Sequence, residues 1–544
     1  MASETRKCQN CKSDFIIEPE DFRFYEKISV PPPTWCPECR VVRRMVFRNE
    51  RALYKRKCDF SKKEIISQYH ADILFPVYET RIVYSDDWEP PYLDYDPTKS
   101  FFEQLAQLSN IVPRPALLTD VTSIEHNSLY QNAASRNKNC YMVFASGDNE
   151  QCLYGSNVDY SKDCIENFFI RDCELCHKCI DCIKSYKLYF SQDCQECTES
   201  YFLYDCRNCN NCFGCVGLRN KSYCYFNQQC SKKEYENMLG GALKSLTTSK
   251  KSFESFRLKY PHRFSSIKNS TNIKGNFIFN SRNIKNSFMI YDCEDCKNCY
   301  KLVAGKSCHD VSDWGDPGEL CYESITVGKN AYQCLFSNNC WPGCSDIQYC
   351  NTCSVSNNLF ACIGLRNKSY CILNKQYTKE EYEALLPRII KHMNDMPYID
   401  KKGRVYRYGE FFPPELSPFS YNETIAQEYF PLTKEEAIKQ GYSWKDPEPR
   451  NYQITLKNKD IPDHIKDVPD SILNEIIECA HNVESNVESS TFNNTLGCPT
   501  TKCNEQCTQA FRIIPSELDF LRKQNLPLPR LCPNCRHYQR IKQR

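Results

Sequence analysis

The chain is 544 residues long and carries 70 Lys and Arg against 68 Asp and Glu, so a uniformly basic or acidic binding protein is excluded and any charged face must be local. Cysteine is the outlier at 38 residues, several times the usage of an ordinary soluble domain. The opening MASETRKCQNCKSDF has no apolar signal core and no 18-residue apolar run occurs anywhere, which predicts neither a signal peptide nor a membrane span. The expected setting is cytoplasmic, where thiols stay reduced and serve as metal ligands or buried apolar groups sooner than as disulfides.

Residues 1–57 open with Cys8-x2-Cys11, then 24 residues, then Cys36-x2-Cys39, and the far end of the chain carries a copy. A constant offset of 496 superimposes Cys11 on Cys507, Phe15 on Phe511, Pro19 on Pro515, Phe24 on Phe520, Cys36 on Cys532, Cys39 on Cys535 and Arg40 on Arg536. Only the first ligand slips, to Cys503 in a CxxxC spacing. Four thiolates so spaced can meet tetrahedrally around Zn²⁺, and the proline in each CPxC favours the tight turn that aims N–H groups at sulfur. The metal ligands expected are Cys8, Cys11, Cys36 and Cys39 at one end and Cys503, Cys507, Cys532 and Cys535 at the other.

Read as a helix, Arg40 to Lys57 places Val42, Met45, Val46, Ala52 and Leu53 on one stripe and Arg40, Arg44, Arg48, Arg51 and Lys55 on the other. Arg536, Arg540 and Arg544 repeat that spacing after the second ribbon. Two basic stripes suit a phosphate backbone, which makes RNA or DNA the expected partner. The competing reading is a solvated helix face, or internal pairing with acidic stretches such as 460–478.

Residues 58–136 read as a mixed α/β connector. From 137 to 248 fifteen cysteines follow one another with every gap a multiple of three, and Cys152, Cys173, Cys194 and Cys215 recur at steps of 21. A fixed period of about 20 residues, with aromatic and β-branched pieces and Asn, Asp and Gly at the corners, predicts a β-solenoid. After a linker, 249–270, residues 271–395 repeat the block: VGLRNKSYCYFNQQCSKKEYENML from Val216 is echoed by IGLRNKSYCILNKQYTKEEYEALL from Ile363. Each copy ends in a capping box, Ser231 with Glu234 and Thr378 with Glu381, opening a helix that caps the stack. The three-residue frame is lost between Cys308 and Cys344, which predicts a projecting insertion around Cys308, His309, Asp310, Asp313, Asp316 and Glu319. A Cys/His/Asp nucleophilic site is conceivable there, but a polar surface loop is the stronger reading.

The repeat cysteines have three readings: buried ladders, metal held between facing CxxC corners, or iron–sulfur ligation, for which the ferredoxin spacing and its proline are missing. Ladders are favoured. Residues 396–480 form a connector with short helices, 481–497 a Ser/Asn-rich linker, and 498–544 the second ribbon with its basic tail.

The paired ribbons, the repeated GLRNKSYC and the phrase LPLPRLCPNCRHYQR resemble a group of uncharacterised bacterial cysteine-rich proteins bracketed by N- and C-terminal zinc ribbons. The resemblance implies zinc at the terminal Cys quartets and an intracellular bacterial setting; it brings no activity.

The fold class expected is mainly β with short helices: a Cys-rich β-solenoid in two duplicated blocks flanked by two small zinc ribbons. The function expected is a non-enzymatic scaffold holding two structural zinc ions and binding nucleic acid through its ribbon helices. The alternatives are a thiol- or metal-dependent redox protein using the CxxC corners, and a protein–protein interaction platform with no membrane contact.

Overall fold

The computed structural model describes residues 2–312, 314–448, 452–481 and 506–544. The chain divides into two units, Met1–Ala116 with Arg263–Lys445, and Leu117–His262 with Asp446–Arg544. Each unit contains one solenoid and one terminal ribbon, and the ribbon belongs to the solenoid more distant in sequence.

The solenoid is built from a triplet. Between Cys140 and Cys215 every third residue is buried, which is the three-residue frame of the cysteines. From Ala133 to Phe226 every third residue also sits in the left-handed region, the non-glycine positions at φ of 44° to 59°. Each triplet therefore runs inward, outward, corner. Strand pairing gives the coil length. Ser156 lies beside Phe168 and Phe168 beside Ile180, all parallel, so the register advances by 12 per coil and each coil has four sides of three. The expected 21-residue period is corrected by this register. A step of 21 is one coil of 12 plus three sides of 3, so Cys152, Cys173, Cys194 and Cys215 fall in four different interior columns and do not stack.

The hydrogen bonds explain which residues the interior accepts. The outward N–H donates forward, to the carbonyl one residue short of a full coil ahead, as Tyr141 N–H does to Cys152 O at 3.0 Å. The corner N–H donates backward, to the carbonyl one residue beyond a full coil behind, as Tyr154 N–H does to Tyr141 O at 2.9 Å. That leaves the inward N–H without a ladder partner, and a buried donor must find one. The inward side chain one coil earlier supplies it. Cys173 N–H donates to Ser161 Oγ at 3.2 Å, Cys179 N–H to Asn167 Oδ1 at 2.8 Å, Cys212 N–H to Ser200 Oγ at 2.9 Å, and Cys152 N–H to Cys140 Sγ at 3.4 Å. Cys, Ser and Asn are thus the small side chains that fill a narrow interior and still accept. The thiols in turn point at carbonyls, Cys179 Sγ lying 3.1 Å from Leu188 O.

The second solenoid keeps this plan, as in Cys293 N–H to Ser281 Oγ at 3.0 Å. Its frame break is not a projecting insertion. From the Gly305–Gly318 pair to the Tyr332–Ser345 pair the register is 13, and it returns to 12 at Ser345–Asn357. The additional residues are absorbed at one corner of successive coils, where Lys329 N–H donates to Gly315 O at 3.0 Å and Gly343 N–H to Lys329 O at 2.9 Å. Gly315 has φ of +142°, and a Cβ there would lie 2.2 Å from Val303 O, so no other residue fits.

Each stack ends alike. The last coil folds back as an antiparallel strand, Gln228–Gln229 in one copy and Lys375–Gln376 in the other, and the capping-box helices Lys232–Ala242 and Lys379–Asp395 follow. This covers the strand edge that would otherwise recruit another chain. Among the described residues no helix is long and apolar enough to cross a membrane.

The ladder makes a prediction. Asn167→Ala removes the acceptor of Cys179 N–H and the 2.9 Å bond from Asn167 Nδ2 to Cys176 O. It should destabilise its solenoid by about 1–3 kcal/mol in urea titrations, and Asn167→Ser, which keeps an acceptor, by clearly less. Equal effects of the two would show that the side-chain acceptor is not what matters.

Candidate metal centres

Two sets of four thiols come together, Cys8, Cys11, Cys36 and Cys39, and Cys479, Cys507, Cys532 and Cys535, each set with its sulfurs within 4.8 Å of one another. Among the described residues these are the groups able to hold a metal ion; the ladder cysteines form none. A tetrahedron of 2.3 Å metal–sulfur bonds has edges of about 3.8 Å. The separations of 3.7 Å for Cys11–Cys36, 3.9 Å for Cys479–Cys535, 4.0 Å for Cys507–Cys532 and 3.5 Å for Cys532–Cys535 bracket that edge.

The local folds repeat down to single bonds. Cys36 caps the helix Pro37–Met45 and gives its N–H to Cys8 Sγ at 3.3 Å; Cys532 caps Pro533–Gln543 and gives its N–H to Cys479 Sγ at 3.2 Å. Cys8 N–H donates to Ser13 O and Cys479 N–H to Gln509 O, both at 2.9 Å. Cys479 is therefore the counterpart of Cys8. It ends a short strand, Ile477–Glu478, paired with Ala510–Phe511, as Glu4–Lys7 pairs with Asp14–Ile17. In the second ribbon the knuckle is split, and a long stretch of chain separates Cys479 from Cys507. Cys503, expected as the first ligand, lies outside the described residues. The sequence sign of Cys479 was a Cys closing a strand, IIEC, as Cys8 closes ETRKC.

The expectation of an exposed basic face is corrected. The helix Pro37–Met45 ends before Arg48, Arg51 and Lys55, so these three are not on it, and its own arginines turn inward. Arg40 donates from Nε at 3.0 Å and Nη2 at 2.7 Å to Asp310 Oδ2, and from Nη1 to Trp35 O at 2.7 Å. Arg43 grips both oxygens of Glu323 at 2.6 and 2.8 Å and Glu410 at 2.9 Å, with its guanidinium 4.2 Å over Trp35. Arg44 donates to Ser312 Oγ at 2.7 Å, and Arg48 pairs with Glu50 at 2.6 Å and donates to Thr326 Oγ1 at 2.5 Å. Arg51 lies 3.9 Å from Glu428. Of the five residues read as a phosphate-binding stripe, Lys55 is exposed, on the strand Tyr54–Lys57.

The second ribbon docks by the same device. Arg536 is 2.5 Å from Glu166 and 2.8 Å from Glu517, whose other oxygen accepts from Tyr154 OH at 3.0 Å. Arg540 donates to Tyr154 O at 3.0 Å, and Arg544 pairs with Asp181 at 2.9 Å while its guanidinium sits 3.7 Å over Phe169. Burial would raise the Glu166 carboxyl, but Lys178 and Arg536 hold it well below the usual range; burial does push Glu323 up against the pull of Arg43 and Arg40. The carboxylates receiving the arginines went unread because Asp310 is 270 residues from Arg40.

The 308–321 segment is part of the first ribbon's dock. Cys308 faces the interior with Sγ 3.3 Å from Gly318 O, whereas His309 faces outward, stacked on Phe24 with ring centroids 3.6 Å apart. Thiol and imidazole point to opposite sides of the coil wall, which removes the nucleophilic reading. Asp313 lies outside the described residues, and Asp316 is exposed.

Compared with known proteins, the chain matches no family model and no curated protein sequence. What stands of the resemblance is a cysteine-rich chain with a four-cysteine group near each terminus that could hold metal.

The docks can be tested by mutation and by pH. Arg40→Met removes the nearer of the two arginines beside buried Asp310, leaving Arg44 at 3.6 Å, and should cost its unit about 3 kcal/mol, and Asp310→Asn in the same chain should recover part of that in a double-mutant cycle; additive losses would deny the coupling. Burial lowers His309 to about 4 and His177 to about 3, each opposed by a neighbouring carboxylate, Asp310 or Glu166. The unfolded imidazole takes its proton near pH 6.5, so the unfolded state binds more protons below that value and stability falls as pH drops from about 6.5 towards 4. His309→Phe should remove up to about 3 kcal/mol of that decline relative to the parent chain; an unchanged slope would show that His309 is not the titrating group.

Proposed function

We propose that the protein is a non-enzymatic scaffold in which two structural zinc ions each lock a ribbon onto a solenoid. The observation that carries this is the continuity of the metal centre with the dock: the residue after the last thiol, Arg40 or Arg536, is the arginine that enters the buried ion pair. A ribbon of this size has little core of its own, and structural zinc contributes on the order of 10 kcal/mol to such modules. Tetrahedral thiolate sites suit zinc or iron, and the absence of colour would mark zinc. Backbone N–H groups aimed at Cys8 and Cys479 sulfurs favour the thiolate form that either metal requires.

The buried arginines weigh against nucleic acid as the ligand of these helices, since seven of the eight cations proposed for it are engaged within the protein. The redox reading fares no better: reactive thiols need access, and the ladder thiols face a closed interior. The protein–protein platform gains by comparison, as two rigid stacks offer regular outer faces, and a reducing cytoplasm suits their free thiols.

Elemental analysis of protein purified without chelator should give two zinc ions per chain and no visible absorption. Cys8→Ser and Cys479→Ser should each remove one, and Cys503→Ser none; loss of metal with Cys503→Ser but not Cys479→Ser would reverse the ligand assignment. Chelation should free residues 8–45 and 506–544 to proteolysis while the solenoids persist. Salt-sensitive retention of RNA or DNA would restore the nucleic-acid reading.

A further inference from the structure

Residues 54–84 repeat the first ribbon with one of its four ligands, Cys58, kept. An offset of 50 lays Arg6-Lys7-Cys8 on Arg56-Lys57-Cys58. The strands Tyr54–Lys57 and Glu64–Ser67 pair with Lys57 opposite Glu64, as Lys7 stands opposite Asp14. Lys12 and Lys62 share the left-handed region at φ of 65° and 62°. Cys8 N–H to Ser13 O at 2.9 Å becomes Cys58 N–H to Lys63 O at 2.8 Å, and Lys12 N–H to Cys8 O at 3.0 Å becomes Lys62 N–H to Cys58 O at 2.9 Å.

The second half follows at an offset of 43, the connection being shorter by seven residues. Gln9 N–H to Thr34 O at 3.0 Å becomes Asp59 N–H to Val77 O at 2.9 Å. Cys36 N–H to Cys8 Sγ and Glu79 N–H to Cys58 Sγ are both 3.3 Å. Glu79 then caps the helix Thr80–Val83, as Cys36 caps Pro37–Met45. The four ligand positions Cys8, Cys11, Cys36 and Cys39 thus read Cys58, Ser61, Glu79 and Ile82, with Ser61 Oγ donating to Glu79 Oε1 across the gap that a metal would bridge.

We propose that residues 54–84 are a third ribbon whose metal site has been replaced by the Ser61–Glu79 hydrogen bond, so that this ribbon holds its place without metal and would regain a tetrahedral thiolate site for zinc if its three lost thiols were restored. The docking chemistry agrees. The position after the fourth ligand is Val83, not arginine, and the polarity of the dock is reversed: Arg366 of the second solenoid donates to Tyr84 O, to Ser85 O at 2.6 Å and to Asp86 at 2.9 Å. Arg366 belongs to the repeated GLRNKSYC, and its counterpart Arg219 bonds to Asp205 of its own solenoid at 3.0 Å.

The proposal rests on the metal reading of the two four-cysteine groups, and metal counting separates the two. The full chain is loaded with cobalt(II) and with zinc, alongside the variant Ser61→Cys/Glu79→Cys/Ile82→Cys. The expected result is two metal ions per parent chain and three per variant, with the cobalt–thiolate absorption raised by half. A folded variant that still holds two, or a parent chain that holds three, overturns the third ribbon alone; a parent chain that holds none overturns the metal reading first. Should the variant not fold, hydrogen exchange on the parent chain decides: under chelator, amides of residues 54–84 should keep their protection while those of 8–45 lose it, and simultaneous loss overturns the proposal.

Discussion

One constraint governs the solenoids: in a coil of inward–outward–corner triplets, the inward N–H has no carbonyl to meet. Outward and corner residues close the ladder between coils, the first donating to the coil ahead and the second to the coil behind. The leftover donor sits in a dry, narrow interior, where an unmet hydrogen bond costs about 1–3 kcal/mol. Where an inward side chain is small and carries an acceptor on Cβ or Cγ, here Ser, Asn or Cys, it meets that donor from one coil below, while Val143, Val158, Ile170, Leu188 and Leu203 take inward positions that offer no acceptor. Cysteine is also the most apolar of the three, so it fills interior volume that serine would leave wet. The cysteine content that marks this chain is in this view a packing solution, separate in purpose from the eight thiols gathered in the two quartets that could hold metal.

The ribbons depend on a second balance. Burying Arg40, Arg43 and Arg44 is expensive for each ion, and the carboxylates Asp310, Glu323 and Glu410 answer it only while the helix is held in place. The helix is too short to be stable alone, at nine residues from Pro37 to Met45. Its N-terminus carries Cys36 and Cys39 beside Cys8 and Cys11, so a metal held by these four thiols and the docked arginines would support one another. Where the third ribbon lacks three of the four thiols it also lacks the arginine, and a single hydroxyl–carboxylate bond with a reversed dock suffices for its shorter helix.

The sequence carried the frame of the solenoid more plainly than the length of its coil. Inward positions are restricted to a few residue types, so the multiples of three stand out. Corner positions are not: Phe169, Tyr154 and Leu175 take the left-handed conformation alongside Asn and Asp, so the number of corners per coil left no mark there. The outward aromatics do record it, since Tyr189, Tyr201, Phe213 and Tyr225 recur at the coil length, with Tyr189 stacked on Tyr201 at 4.5 Å and Phe213 on Tyr225 at 5.3 Å. Of the expected basic stripe only Arg40 and Arg44 lie on the helix, and their direction was not legible, because nothing local distinguishes a solvated cation from one whose carboxylate lies hundreds of residues away.

The same reasoning accounts for the split knuckle. A four-cysteine ribbon needs its first thiol at the end of one strand and its second just before the next, but it places no limit on the chain between them, because loop closure grows only slowly costlier with length. In the first ribbon Cys8 and Cys11 share one tight knuckle, and in the second a far longer stretch parts Cys479 from Cys507, yet the strand pairing and the 2.9 Å bond from the first cysteine are kept. Ligand spacing is therefore a poor guide to ligand identity in this chain, whereas the hydrogen bond that aims a later backbone N–H at the first sulfur recurs in all three ribbons, at 3.3, 3.2 and 3.3 Å, whether or not thiols remain to bind a metal.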